Sequence, residues 1–72
     1  MARIAALGGR NRIQGLALAG VVPLPAATVD EALVAWRGLP SDVGVLILTP
    51  QAAEALADHL DERRDLLVTV LP

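Results

Sequence analysis

Three places in this sequence bring together residue types that could do chemistry. Gly8-Gly9-Arg10-Asn11-Arg12 joins an apolar run to a helical pattern. Backbone N–H groups at the start of a helix attract anions and guanidinium groups bond phosphate in bidentate fashion, so Arg10 and Arg12 are the candidate anion-site residues. The segment has neither the lysine-hydroxyl ending of a P-loop nor GxGxxG spacing, so no nucleotide is assigned and a plain structural turn is the competing reading. His59, the single histidine, stands among Asp58, Asp61 and Glu62. A carboxylate-assisted base would need a nucleophile or oxyanion donors nearby, and a metal would need a second histidine or comparable ligands. The sequence marks none of these, so His59 reads as a solvated surface residue, with no catalytic residue, metal or cofactor expected. Arg63-Arg64-Asp65 reads as a helix end rather than an epitope.

Composition narrows the classes further. Six arginines, with no lysine, face eight carboxylates for a net charge of −2, which removes the basic footprint of a nucleic-acid binder. The longest uncharged stretch, Ile13 to Val29, is broken by Gly15, Gly20, Pro23 and Pro25 and is too short for a membrane span. Arg3, Arg10 and Arg12 ahead of Gly15–Leu24 superficially resemble a secretory leader, but Ile4–Leu7 is better explained as a strand. With 72 residues, 54% of them hydrophobic, one domain is expected, with more apolar surface than a small free monomer normally carries. Trp36 is the only large filler, and the absence of cysteine removes disulfides and thiolate metal sites.

These candidate residues must be positioned by a repeating strand–helix pattern. Arg3–Gly8 reads as a buried strand; Asn11 with Gln14 forms a partial capping box for a first helix, on which Ile13, Leu16, Ala17 and Gly20 recur at helical spacing and which ends at Gly20. Val21–Leu24, interrupted by Pro23, suits an edge strand. Thr28 and Glu31 match a capping box, and Val29, Leu33 and Trp36 share a face of the second helix, stopped by Gly38 and Pro40. Val43–Thr49, apolar without alternation, is expected to be a central strand covered on both faces. Thr49-Pro50 opens a third helix with Ala53, Leu56, Ala57 and Leu60 as its apolar stripe and Glu54, Asp58, Asp61 and Glu62 on its wet side; Leu66–Leu71 is a fourth strand.

The order βαβαβαβ predicts an α/β domain with a four-stranded parallel sheet in the flavodoxin-like or Rossmann-like order 2-1-3-4. Right-handed crossovers then put helices 2 and 3 on one face and helix 1 alone on the other. No C-terminal helix follows the fourth strand to lie beside helix 1, so a partner, a second copy or a further segment is expected to cover the under-protected face. The paired acids of a phosphate-accepting receiver domain are missing, because strand 1 ends in Gly8-Gly9.

Arg3-Ile4-Ala5-Ala6-Leu7-Gly8 followed by Gly15-Leu16-Ala17-Leu18-Ala19-Gly20-Val21 resembles the opening of the F subunit of V-type and archaeal-type rotary ATPases, whose first helix carries a "GFrLAGV" segment. Asp30-Glu31-Ala32, the strand Asp42–Thr49, Glu54 in the third helix and the ending Leu67–Pro72 are similar to its later elements in order. Leu16 and Ala17 stand where the family has an aromatic residue and an arginine, and Gly9 or Arg10 replaces an acidic residue. The family's usual C-terminal tail has no counterpart among these 72 residues. The resemblance implies a non-catalytic central-stalk subunit that binds the D-type shaft below the A/B head and helps couple ATP turnover to proton or sodium transport. It also implies a cytoplasmic location, peripheral to the membrane in the soluble ATPase sector, without direct membrane insertion. Two other readings stand beside it: an anion- or nucleotide-binding module using Gly8–Arg12, and a self-associating scaffold that forms a homodimer.

Overall fold

The computed structural model describes residues 2–72, the side chains of residues 17 and 18 excepted. Ala17, expected on the apolar face of the first helix, falls outside the described side chains. Four strands, β1 (Arg3–Gly8), β2 (Val22–Pro25), β3 (Val43–Leu48) and β4 (Leu67–Val70), form one parallel sheet in the order β2-β1-β3-β4. The predicted fold class and strand order are observed.

The sheet has two unlike faces, and register decides which residue meets which. Ala5 pairs with Val22 and Leu46, Leu7 with Leu24 and Leu48, and Leu46 with Val68. These residues point to the face covered by α2 (Val29–Arg37) and α3 (Pro50–Leu56), and they form the main core with Ala32, Trp36, Ala52 and Leu56. Ala5, Ala6 and Leu7 are fully buried. A parallel strand enclosed on both sides by neighbours and helices reads as an unbroken apolar run for this reason.

Gly8 is the position on which the ends of three elements depend. Its carbonyl accepts the N–H of Ala26 at 2.8 Å, tying the end of β2 to β1. A Cβ placed on Gly8 would lie 2.9 Å from Thr49 Cβ and closer still to the other Thr49 side-chain atoms. The space left by the missing side chain is occupied by Thr49, which is itself the N-cap of α3 and accepts the N–H of Ala52 at 3.2 Å. Pro50 follows at the first helical position, where it displaces no hydrogen bond.

Several local expectations shift in the structure. The first helix is not capped by Asn11: Gly9 is the N-cap without a side-chain bond, α1 spans only Arg10–Ile13, and Gln14–Ala19 continues as a 3-10 stretch. Gly20, at φ 85°, ends it in a conformation that disfavours any side chain. On α2 the Thr28 hydroxyl accepts from Glu31 N at 3.1 Å as the capping box requires, but Glu31 accepts from Ala27 N–H, one residue before the cap. The buried face of α2 is Ala32 and Trp36 with Leu33 partly covered, while Val29 in the opening turn is 57% exposed. On α3 Leu56 is buried as expected and Ala53 is partly buried against the core, but Ala52 rather than Ala53 is the second buried residue, and Ala57 is exposed. The helix stops at Leu56, and a 3-10 turn, Leu60–Glu62, follows before β4. The helical spacing in the sequence fits two adjacent stripes, and burial against the sheet selects the one that brings Ala52 and Leu56 inward.

Pro23 and Pro25 in β2 have a positional logic. Because Ala26 N–H points at β1, residues two apart from it share that direction, and Pro23 and Pro25 alternate with them. Both prolines therefore occupy outward-facing positions of an edge strand, where a donor would otherwise be left free.

Gly8→Ala is expected to destabilise the domain by about 2–3 kcal/mol, because Thr49 cannot withdraw without losing its cap. Nothing lies within 4 Å of a Cβ at Gly9, so Gly9→Ala should be nearly neutral. Urea unfolding of the two variants would test this, and equal midpoints would refute the close-approach account.

Candidate functional site

The crevice at the C-terminal ends of the strands lies where ligands bind in doubly wound sheets. Its volume is about 410 Å³, and Gly9, Thr28, Val29, Thr49, Gln51 and Glu54 are among the residues that line it. The hydroxyl oxygens of Thr28 and Thr49 already accept the backbone N–H groups of their own helices. Glu54 adds a carboxylate to the wall, and neither Arg10 nor Arg12 lines it. Small alanines, occupied hydroxyls and a negative charge do not make a phosphate cradle.

Arg10 and Arg12 diverge. Arg10 lines a shallow groove with Ile13, Gln14, Pro23 and Pro25 on the β2 side. Arg12 reaches the other way across the end of the sheet, and its Nη2 donates to the carbonyl oxygen of Pro72 at 3.1 Å, just past β4. The two guanidinium groups, adjacent in sequence logic, face opposite edges. A four-residue α1 opening on Gly9 supplies too little aligned backbone to compensate.

His59 is more engaged than its surroundings in sequence suggest. Its Nδ1 lies 3.0 Å from Glu62 Oε2, and the other oxygen of Glu62 accepts the indole N–H of buried Trp36 at 2.9 Å. Glu62, expected on the wet side of α3, thus bridges the core of α2 to the turn after α3. Nothing in helical spacing points to this contact, since Trp36 and Glu62 are 26 residues apart; the one hint is that a buried indole requires an acceptor. Among the described residues no group of three or more His, Cys, Asp or Glu could hold a metal ion.

The most distinctive surface is the second face of the sheet. α1 packs on β1 and β2, and the 3-10 stretch packs on β2. Ala6 and Ile13 are buried there. From the start of β1 across β3 and β4 that face carries Ile4 paired with Val45, Val45 paired with Leu67, and Ile47 paired with Thr69. Ile4 is 42% and Leu67 66% exposed, while Val45 and Ile47 are partly exposed. Half of one sheet face is therefore an open aliphatic trough, on the side where helix 1 was expected to lie alone. The particular trough residues were missed because β3 reads as uniformly apolar; only its register against β1 separates Val45 and Ile47 from Leu46 and Leu48.

Arg3 and Asp42 close the N-terminal end of the sheet with an ion pair at 2.6 Å, and a second bond runs from Arg3 N–H to the Asp42 carbonyl. The Arg3 guanidinium holds the Asp42 carboxyl below the ordinary aspartate value, and Arg63 does the same for Asp65. Glu62 is lowered first by the Trp36 indole bond and then by His59.

No helix among the described residues is long and apolar enough to cross a membrane. No protein-family model matches the chain, and no curated protein matches it closely enough to place it in a family.

Two measurements test these assignments. Titration calorimetry with inorganic phosphate should show no saturable binding; saturable heat abolished by Arg10→Ala together with Arg12→Ala would restore an anion site. The three lowered carboxylates favour the folded state while ionised, so their contribution is present above the ordinary carboxylate range and is lost as pH falls through the lowered native values. Stability followed by Trp36 emission should fall as the pH drops below the ordinary carboxylate range, and Glu62→Gln should start lower at neutral pH and fall less steeply over that drop. An unchanged slope in Glu62→Gln would assign the acid sensitivity to Asp42 and Asp65 instead.

Proposed function

We propose that this chain is a non-catalytic stalk subunit of the F type in a V-type or archaeal-type rotary ATPase, binding the D-type shaft. The observation that carries the reading is the open aliphatic half of the sheet face beside α1. On this face Ile4 and Leu67 are exposed and Val45 and Ile47 partly exposed, across β1, β3 and β4, and such a surface serves docking better than it serves a free monomer.

The segments that resemble the family supply the rest of the support. They coincide with β1, with the 3-10 stretch that ends at Gly20, with β3 and with β4, in the family's order. The crevice at the strand ends, by contrast, has no guanidinium on its wall to favour the anion-module reading. In this proposal the subunit transmits torque or holds the shaft during coupling to proton or sodium movement, in the cytoplasm and peripheral to the membrane, without chemistry of its own.

Co-expression with the D-type subunit of the same organism, a long helical hairpin, tests the reading. A one-to-one complex that survives gel filtration, and that joins an A/B head, is the expected outcome. Two folded proteins that elute separately at micromolar concentration would sink it.

A further inference from the structure

The two edges of the sheet are chemically unlike. Along β2 the outward positions are Pro23 and Pro25, which carry no N–H. Along β4 the N–H of Leu71 donates to the Leu48 carbonyl at 2.8 Å, so Leu71, Thr69 and Leu67 turn their backbone groups toward β3. Val68 and Val70 alternate with them and turn theirs outward, where no further strand pairs among the described residues. The N–H and C=O groups of these two valines are therefore open to another strand.

The sequence of this edge is its own complement. Leu67-Val68-Thr69-Val70-Leu71 reads the same in both directions and carries no charge. An antiparallel copy related by a two-fold axis at Thr69 sets leucine opposite leucine, valine opposite valine and Thr69 opposite itself. Val68 of one copy then exchanges both backbone hydrogen bonds with Val70 of the other, and Thr69 becomes the close, non-hydrogen-bonded pair between them. Other registers satisfy less. With the axis on Val68, Val70 faces Leu66, whose N–H already donates to the Arg63 carbonyl. With the axis on Val70, Val68 faces Pro72, which has no N–H and whose carbonyl already accepts from Arg12. The Thr69 register also gives the two most exposed aliphatic side chains of the strand, Leu67 at 66% and Val70 at 48%, a cross-strand leucine and valine to pack on.

We infer that a second copy of this chain pairs with β4, antiparallel about a two-fold axis at Thr69, joining the two sheets edge to edge. The contact is isologous, so each copy supplies the same residues. A single strand pair buries less than a standard interface, which makes the dimer a weak and reversible one. It uses the edge of the sheet rather than its open face, and it does not rest on the rotary-motor reading.

Sedimentation equilibrium of the whole chain should show a monomer–dimer equilibrium, with the dimer populated at about 100 μM. Thr69 is exposed, so Thr69→Lys leaves the fold intact while placing like charges opposite each other, and it should weaken the dimer about tenfold or more. Val70→Pro removes an outward donor without touching the ladder to β3 and should act in the same direction. Trp36 emission checks that both variants are folded. Register is tested by cross-linking, since the chain has no cysteine of its own. Residues opposed in a non-hydrogen-bonded pair lie within disulfide reach, so mild oxidation should link Thr69→Cys to its copy about tenfold faster than Leu67→Cys, which faces Leu71 of the second copy. A chain that stays monomeric to about 1 mM, a dimer as tight in Thr69→Lys as in the parent, or equal cross-linking of the two cysteine variants would overturn the inference. Any of these results leaves the rotary reading standing, because binding of the D-type subunit is measured separately.

Discussion

The missing side chain at Gly8 is the constraint around which this small domain is arranged. A parallel sheet with its first strand in the interior must bring the ends of β1, β2 and β3 together, and each then turns into a helix in a confined space. Thr49 occupies the volume a Cβ would need, caps α3 from there, and donates its N–H to the carbonyl of Leu7 at 3.2 Å. Gly8 also accepts from Ala26 on the other side. One absent methyl group thus sets how closely β1 approaches the turn after β3 and where α3 begins. Ala5 and Ala6 are fully buried alongside, and bulk is supplied by Leu7, Leu46 and Leu48 from the strands and by Trp36 and Leu56 from the helices.

Trp36 introduces the second organising contact. An indole this deeply buried needs an acceptor, and it finds one in Glu62 rather than in its own helix. The 3-10 turn after α3 is thereby fixed to α2, and His59 secures the remaining carboxylate oxygen. Since α3 lasts only seven residues, this polar chain holds the return to β4 in place of a longer helix.

The parallel order 2-1-3-4 was legible because each strand and each cap has its own local signal: the apolar run Val43–Leu48, the Thr28 and Thr49 caps, the prolines of an edge strand. The under-covered face followed from crossover handedness alone. What the sequence could not resolve were choices that depend on tertiary packing. Asn11 is a good capping residue, yet the turn from β1 places Gly9 at that position. Val29 fits the helical stripe of α2, yet its turn projects past the sheet into the crevice, so it remains exposed. The separation of Arg10 from Arg12 had no sequence signature, because it depends on Pro72, sixty residues away, coming to lie at the end of the same face.

The two prolines of β2 bear on a hazard common to every open sheet. Strand-to-strand growth requires a donor row on each free edge, and here Pro23 and Pro25 remove the donors from one of them. An added strand along β2 would go without those two donors, whereas β4 contains no proline, so a pairing of two molecules is favoured along β4. Edge-wise growth of the sheet is thereby disfavoured at β2 relative to β4.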